Sequence, residues 1–259
     1  MKCDIILAGV GGQGILTIAY FLDHAAVARG YHFKQAEVHG MAQRGGAVYS
    51  HLRIADHEVI SDLVPLGSAD LVLAVEPLEV QRYLQYLAAA GTVVASNQPF
   101  KNIPDYPEEE RVIAALLSLP RSILVNAKQI AAEARSPRAE NVAMLGAATP
   151  FLPFSVDDFV PLVTELFERK GPAVVESNLM ALRVGHAVGT FFRDLVAAGA
   201  PPASVYALSE KLTLATVDPA LAAAFVPALR AHSGTGTDRV RALTGRSACT
   251  RELAGQLAS

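Results

Sequence analysis

Met1-Lys-Cys-Asp-Ile-Ile-Leu-Ala-Gly-Val-Gly-Gly-Gln-Gly-Ile15 decides how this chain is read. Ile5 through Ala8 form an unbroken apolar run, which suits a strand buried on both faces of a parallel sheet. Gly9, Gly11 and Gly14 then spell G-x-G-x-x-G, with Gly12 as a further glycine inside it. Ile15-Leu-Thr-Ile-Ala-Tyr-Phe-Leu22 follows, apolar at helical spacing. Strand, glycine turn and helix thus come in the order an anion cradle requires. Bare glycines let backbone N–H groups approach an anion, and the helix start adds partial positive charge at the same point. The same turn can also serve only to pack a strand against a helix, so the motif alone leaves both readings open.

Moving outward, His32-Phe-Lys-Gln-Ala-Glu-Val38 reads as a second strand, with Glu37 near its end, where a dinucleotide fold keeps its ribose-binding acid. An ordinary strand-end carboxylate is the alternative for that residue. The segment from His39 to Gly46 (His-Gly-Met-Ala-Gln-Arg-Gly-Gly) shows little periodicity and reads as a second glycine-rich loop carrying Arg44. Beside the first turn it would give two anion-binding surfaces facing one cleft; the alternative is that Arg44 and His39 are solvated or ion-paired. Val48 to Ile54 alternates and reads as a strand, with Glu58-Val-Ile60 as its expected hairpin partner and His51 and His57 expected on the surface.

From Ala69 strands and helices alternate. Ala69–Val75, Thr92–Ser96 and Ser122–Asn126 read as strands. A helix opening at Pro77 is expected to run to about Ala90, where Gly91 ends it. A proline-rich excursion, Asn97–Pro107, precedes a helix headed by Glu108, Glu109 and Glu110. The fold class expected is therefore α/β: a Rossmann-like, mostly parallel sheet with helices on both faces, plus a helical C-terminal appendage. Asn141–Ala148 carries small residues spaced for close helix packing, Ser155 or Asp157 can cap a helix, and Asn178–Gly185 lies on a long helix reaching Val196. Pro201-Pro202 marks a boundary, so residues 1–200 are read as one domain and 201–259 as an alanine-rich extension.

With 51% hydrophobic and 18% charged residues, the 259-residue chain can bury a sizeable core. A net charge of −3 and the lack of tryptophan argue against nucleic-acid binding. No apolar run reaches membrane-spanning length, and no signal peptide is expected at the N-terminus, which points to the cytoplasm. Cys3 and Cys249 are the only cysteines, too few for a four-cysteine iron–sulfur site or a zinc site of cysteine pairs.

Gly9-Val-Gly-Gly-Gln-Gly-Ile15, together with Glu37-Val-His-Gly-Met-Ala-Gln-Arg-Gly-Gly46, resembles the gamma-type domain of 2-oxoacid:ferredoxin oxidoreductases, and most of all the small subunit of the indolepyruvate enzymes. Asn141–Gly146 and Asn178–Gly185 fit the same pattern, so the resemblance covers roughly residues 1–198. It implies oxidative decarboxylation of an aryl-pyruvate-like 2-oxoacid to an acyl-CoA, with electrons passing through thiamine diphosphate and iron–sulfur clusters to ferredoxin. With too few cysteines and no Gly-Asp-Gly for a thiamine diphosphate–Mg site, this chain cannot perform that chemistry alone, so those cofactors belong to a large catalytic alpha subunit. The resemblance associates the gamma-type domain with coenzyme A. Gly9, Gly11, Gly12, Gln13 and Gly14 are then cradle residues, Arg44 a phosphate clamp, and His39 and Gln43 hydrogen-bonding groups near the cleft, with Glu37, Asn141 and Asn178 weaker candidates. No nucleophile, general base or metal ligand is assigned. A free-standing NAD-dependent dehydrogenase and a nucleotide-binding regulatory module are the competing readings.

Overall fold

Lys2–Val10 forms β1, buried from Cys3 to its end because both faces of the strand carry helices. The structure, a computed structural model, describes residues 1–39, 45–101, 103–197 and 199–209. α1 (Ile15–Ala28) packs on one face of β1, and β2 (His32–His39), β3 (Ala47–Ala55) and β4 (Ala69–Ala74) follow. Then come α2 (Pro77–Tyr83), β5 (Leu87–Ser96), α3 (Glu109–Leu117), β6 (Ser122–Val125) and α4 (Ala127–Glu133). The chain continues through α5 (Glu140–Ala148), α6 (Val156–Phe167), α7 (Pro172–Ala197) and α8 (Pro202–Ser209). The six strands lie in the order β2-β3-β1-β4-β5-β6.

β1, β4, β5 and β6 are parallel, as the α/β rhythm predicts, but β3 runs antiparallel between β1 and β2. The hairpin expected between β3 and Glu58–Ile60 does not form. β3 turns back on the preceding strand instead, in unbroken register from His32 opposite Ala55 to His39 opposite Val48. The backbone after β3 is held by side chains: Lys34 Nζ donates to Ile60 O at 2.8 Å, and Arg53 Nη1 to Ser61 O at 3.3 Å. Arg53 also binds the buried Asp4 carboxylate at 2.9 Å, which fixes it as a strut.

The helix expected to reach Ala90 stops earlier. A 3₁₀ turn, Leu84–Tyr86, ends α2, and Leu87 already pairs with Ala69 in β5. Gly91 is therefore no helix terminator: a Cβ there would stand 2.6 Å from Ala69 O, where the β4–β5 register shifts. Alanine's helix propensity in residues 88–90 yields to the pairing available at the sheet.

α1, α4, α5 and α7 bury their apolar sides against one face of the sheet, α2 and α3 against the other. The small residues of α5 do what their spacing predicts. A Cβ at Gly185 would lie 2.2 Å from Ala143 O, and one at Gly146 2.1 Å from Leu182 O, so α5 and α7 meet backbone to backbone. Ser155 heads α6 as expected: the Asp158 carboxylate accepts its N–H at 2.8 Å and also grips Arg29 at the end of α1. Beyond Pro201, α8 returns to the body, with Val205 buried in the core; the rest of the expected helical extension, residues 210–259, lies outside the described residues.

Gly185→Val should cost about 3 kcal/mol or more, since the helices must part to admit the side chain. Urea denaturation followed by circular dichroism should show a lower midpoint with an unchanged slope.

Candidate functional site

The loop between β1 and α1 is shaped by its own backbone. Val10 O accepts the Gln13 N–H at 3.1 Å, and Gly14 O accepts the N–H groups of Thr17 and Ile18. Gly14 caps α1 in the left-handed conformation, φ 79°, and a Cβ there would come within 2.5 Å of Asn141 Nδ2. Conformation and space thus both demand glycine. Among the described residues the N–H groups of Gly12 and Gly14 have no partner, which leaves them as donors at the start of the helix.

The second glycine segment joins the first directly. Gly11 N–H donates to Gly46 O at 2.8 Å, and Gly45 N–H donates to Gly11 O at 3.4 Å. This pair continues the β1–β3 ladder one step past Val10 and Ala47. The two segments therefore share one edge of the molecule, as a common cleft requires. Gly9 stays within the ladder, opposite Val48. His39 ends β2, also opposite Val48; Gln43 and Arg44 lie outside the described residues.

Gln13 is placed differently from a group that reaches for a ligand. Its Oε1 accepts the Val10 N–H at 2.8 Å and its Nε2 donates to Val75 O at 3.4 Å. α1 leaves β1 toward one face and α2 leaves β4 toward the other, so the crevice between β1 and β4 is the topological switch point. The Gln13 side chain spans it. Asn141 Nδ2 donates to Gly14 O at 3.4 Å, tying the start of α5 to the cradle, while the buried Asn178 bonds Val174 O within α7.

Glu76, at the end of β4, organises the neighbouring wall. This buried carboxylate accepts the Glu79 N–H at 2.9 Å, the Phe100 N–H at 3.3 Å and the Tyr106 hydroxyl. It caps α2 and anchors the proline-rich excursion beside the cradle. Burial and the Glu76 carboxylate push the Tyr106 hydroxyl well above the usual phenol range. The Glu-Pro pair signals the cap, but its partners 24 and 30 residues onward carry no local signal.

Glu37 does not take the ribose position. β3 separates its strand from β1, and Glu37 pairs with Ser50, because the parallel neighbour of β1 is β4. Asp23 of α1 senses it: burial, reinforced by the Glu37 charge, pushes the Asp23 carboxyl up to about 7. His51 is buried rather than on the surface. Its Nδ1 accepts the Val64 N–H at 3.1 Å, its ring stands edge-on to Tyr86 at 5.0 Å, and burial lowers its pKa. His57 is exposed, as expected, and pairs with Asp56. Among the described residues no cluster of three His, Cys, Asp or Glu could hold a metal, and no helix is long and apolar enough to cross a membrane.

The family model described as pyruvate ferredoxin/flavodoxin oxidoreductase matches residues 4–188. Indolepyruvate oxidoreductase subunit IorB of Archaeoglobus fulgidus is 38% identical over 197 residues, covering 72% of this chain and 94% of that one. IorB of Pyrococcus horikoshii is 33% identical over 193 residues, covering 70% and 93%. Among solved structures, 2-oxoglutarate:ferredoxin oxidoreductase from Magnetococcus marinus, with 2-oxoglutarate, coenzyme A and succinyl-CoA bound, superposes with a TM-score of 0.60 at 20% identity. That match covers 73% of this chain and 31% of that one and shows a shared fold.

The raised Asp23 carboxyl sets a pH signature. Its contribution to stability is fully present below the ordinary value of 3.8 and is lost as pH rises through about 7. Asp23→Asn should remove that loss, so its urea midpoint should exceed that of the parent above pH 7 and converge with it in acid.

Proposed function

The chain belongs to the pyruvate ferredoxin/flavodoxin oxidoreductase family, and from that premise we propose that it is the non-catalytic small subunit of an indolepyruvate-type enzyme, with coenzyme A held on its glycine cradle. It is a subunit of a 2-oxoacid:ferredoxin oxidoreductase. In the proposed reaction a 2-oxoacid, coenzyme A and two oxidised ferredoxins yield acyl-CoA, carbon dioxide, two reduced ferredoxins and a proton.

One observation carries the assignment of the site: the Gly11–Gly46 backbone pair brings both glycine segments to one edge. The N–H groups of Gly12 and Gly14, unpartnered among the described residues, and the positive end of α1 suit a pyrophosphate. Arg44 is the proposed phosphate clamp, with His39 and Gln43 as hydrogen-bonding groups beside it. Gln13 acts by bracing the loop rather than by touching the ligand. The dehydrogenase reading is weaker, since the switch-point crevice is spanned and Glu37 stands two strands from β1.

Thiamine diphosphate, Mg and the clusters are assigned to the large catalytic subunit, which passes electrons to ferredoxin. Cys3 is buried, and burial with the nearby Asp70 and Asp4 charges pushes its thiol up to about 12, so it is no ready cluster ligand. Residues 1–200 are the proposed oxidoreductase domain, 201–259 an extension of it, and the cytoplasm is the proposed location.

Titration calorimetry of the purified chain with coenzyme A tests the reading. Saturable binding is expected, weakened about tenfold or more in Arg44→Ala, the scale of one charge-assisted hydrogen bond. No 2-oxoacid oxidation is expected without the catalytic subunit. Binding of NADH in place of coenzyme A, or turnover by the chain alone, would overturn it.

A further inference from the structure

Gly185 stands against Ala143 and Gly189 against Ala147, so α5 and α7 run parallel. α5 starts three residues before Ala143, but α7 starts thirteen before Gly185, leaving a ten-residue overhang. At helical rise that is about 15 Å. The start of α5 is tied to Gly14 through Asn141, so the overhang projects past the cradle end of the sheet. α6, which runs back toward the same end, flanks it. Between them lies a groove of about 710 Å³ on whose floor stand Val175, Leu179, Met180 and Val184. Met180 is 42% exposed, α6 contributes Thr164, and Glu168, Glu176 and Arg183 complete the lining.

We propose that this groove receives an amphipathic helix of the catalytic subunit, with apolar side chains on the floor and a basic flank toward Glu168 and Glu176. The inference rests on the coenzyme A reading above. A thiol held at the cradle must reach a thiamine centre on the partner, so the partner has to dock at the cradle end, and the overhang is an apolar element projecting there. An exposed methionine on such a floor adapts its shape to an incoming helix.

The test uses the full chain mixed with its catalytic subunit and measures their affinity by calorimetry. Met180→Glu should weaken the complex at least tenfold while leaving the thermal midpoint and coenzyme A binding of the free chain unchanged. Leu66→Glu is the control: Leu66 is 65% exposed, just before β4 at the other end of the sheet, and its substitution should change nothing. Unaltered affinity in Met180→Glu overturns the docking site and leaves the coenzyme A assignment standing, as does a self-association of the free chain that Met180→Glu abolishes. If the parent chain fails to bind the catalytic subunit, the docking site falls, while saturable coenzyme A binding by the free chain still decides the cradle assignment. If Met180→Glu breaks the complex in a chain that binds no coenzyme A, the docking site holds and the cradle assignment alone falls.

Discussion

Two backbone hydrogen bonds, between Gly11 and the Gly45–Gly46 pair, are the constraint on which the candidate site depends. They exist because β3 runs antiparallel to β1. Had β2 paired with β1 directly, as in a simple dinucleotide fold, β3 would lie one place further out and Gly45–Gly46 would not meet Gly11. The antiparallel insertion instead returns the chain at Ala47, opposite Val10, and the ladder runs on into the glycines. A sheet-level choice of strand direction thereby sets which loops are neighbours.

Much of the fold was legible because its signals are local. The glycine loop, its helix, the alternation of strands and helices after Ala69, the cap at Ser155 and the small residues of α5 all declare themselves within a few positions. What was not legible depends on partners far along the chain. Residues 87–90 look helical until β4 offers a pairing edge. Alternation placed His51 on the surface because nothing nearby announces Tyr86 and the Val64 N–H waiting for it. Glu76 reads as a helix cap, while its grip on Phe100 and Tyr106 appears only in three dimensions.

At the candidate site the residue types were read better than their roles. Gly14 is required, and its reason includes a neighbour, Asn141, more than a hundred positions away. Gln13 belongs to the loop but faces inward. Glu37 lost its expected role to topology alone, since one inserted strand moves it out of reach of β1.

Gln13 carries a wider consequence. Folds of this architecture ordinarily swallow part of their ligand at the point where successive helices diverge. Here a single amide bolts that gap, from Val10 on one lip to Val75 on the other. Anything held by the described part of the glycine loops would therefore rest on the rim of that gap rather than slide between its lips.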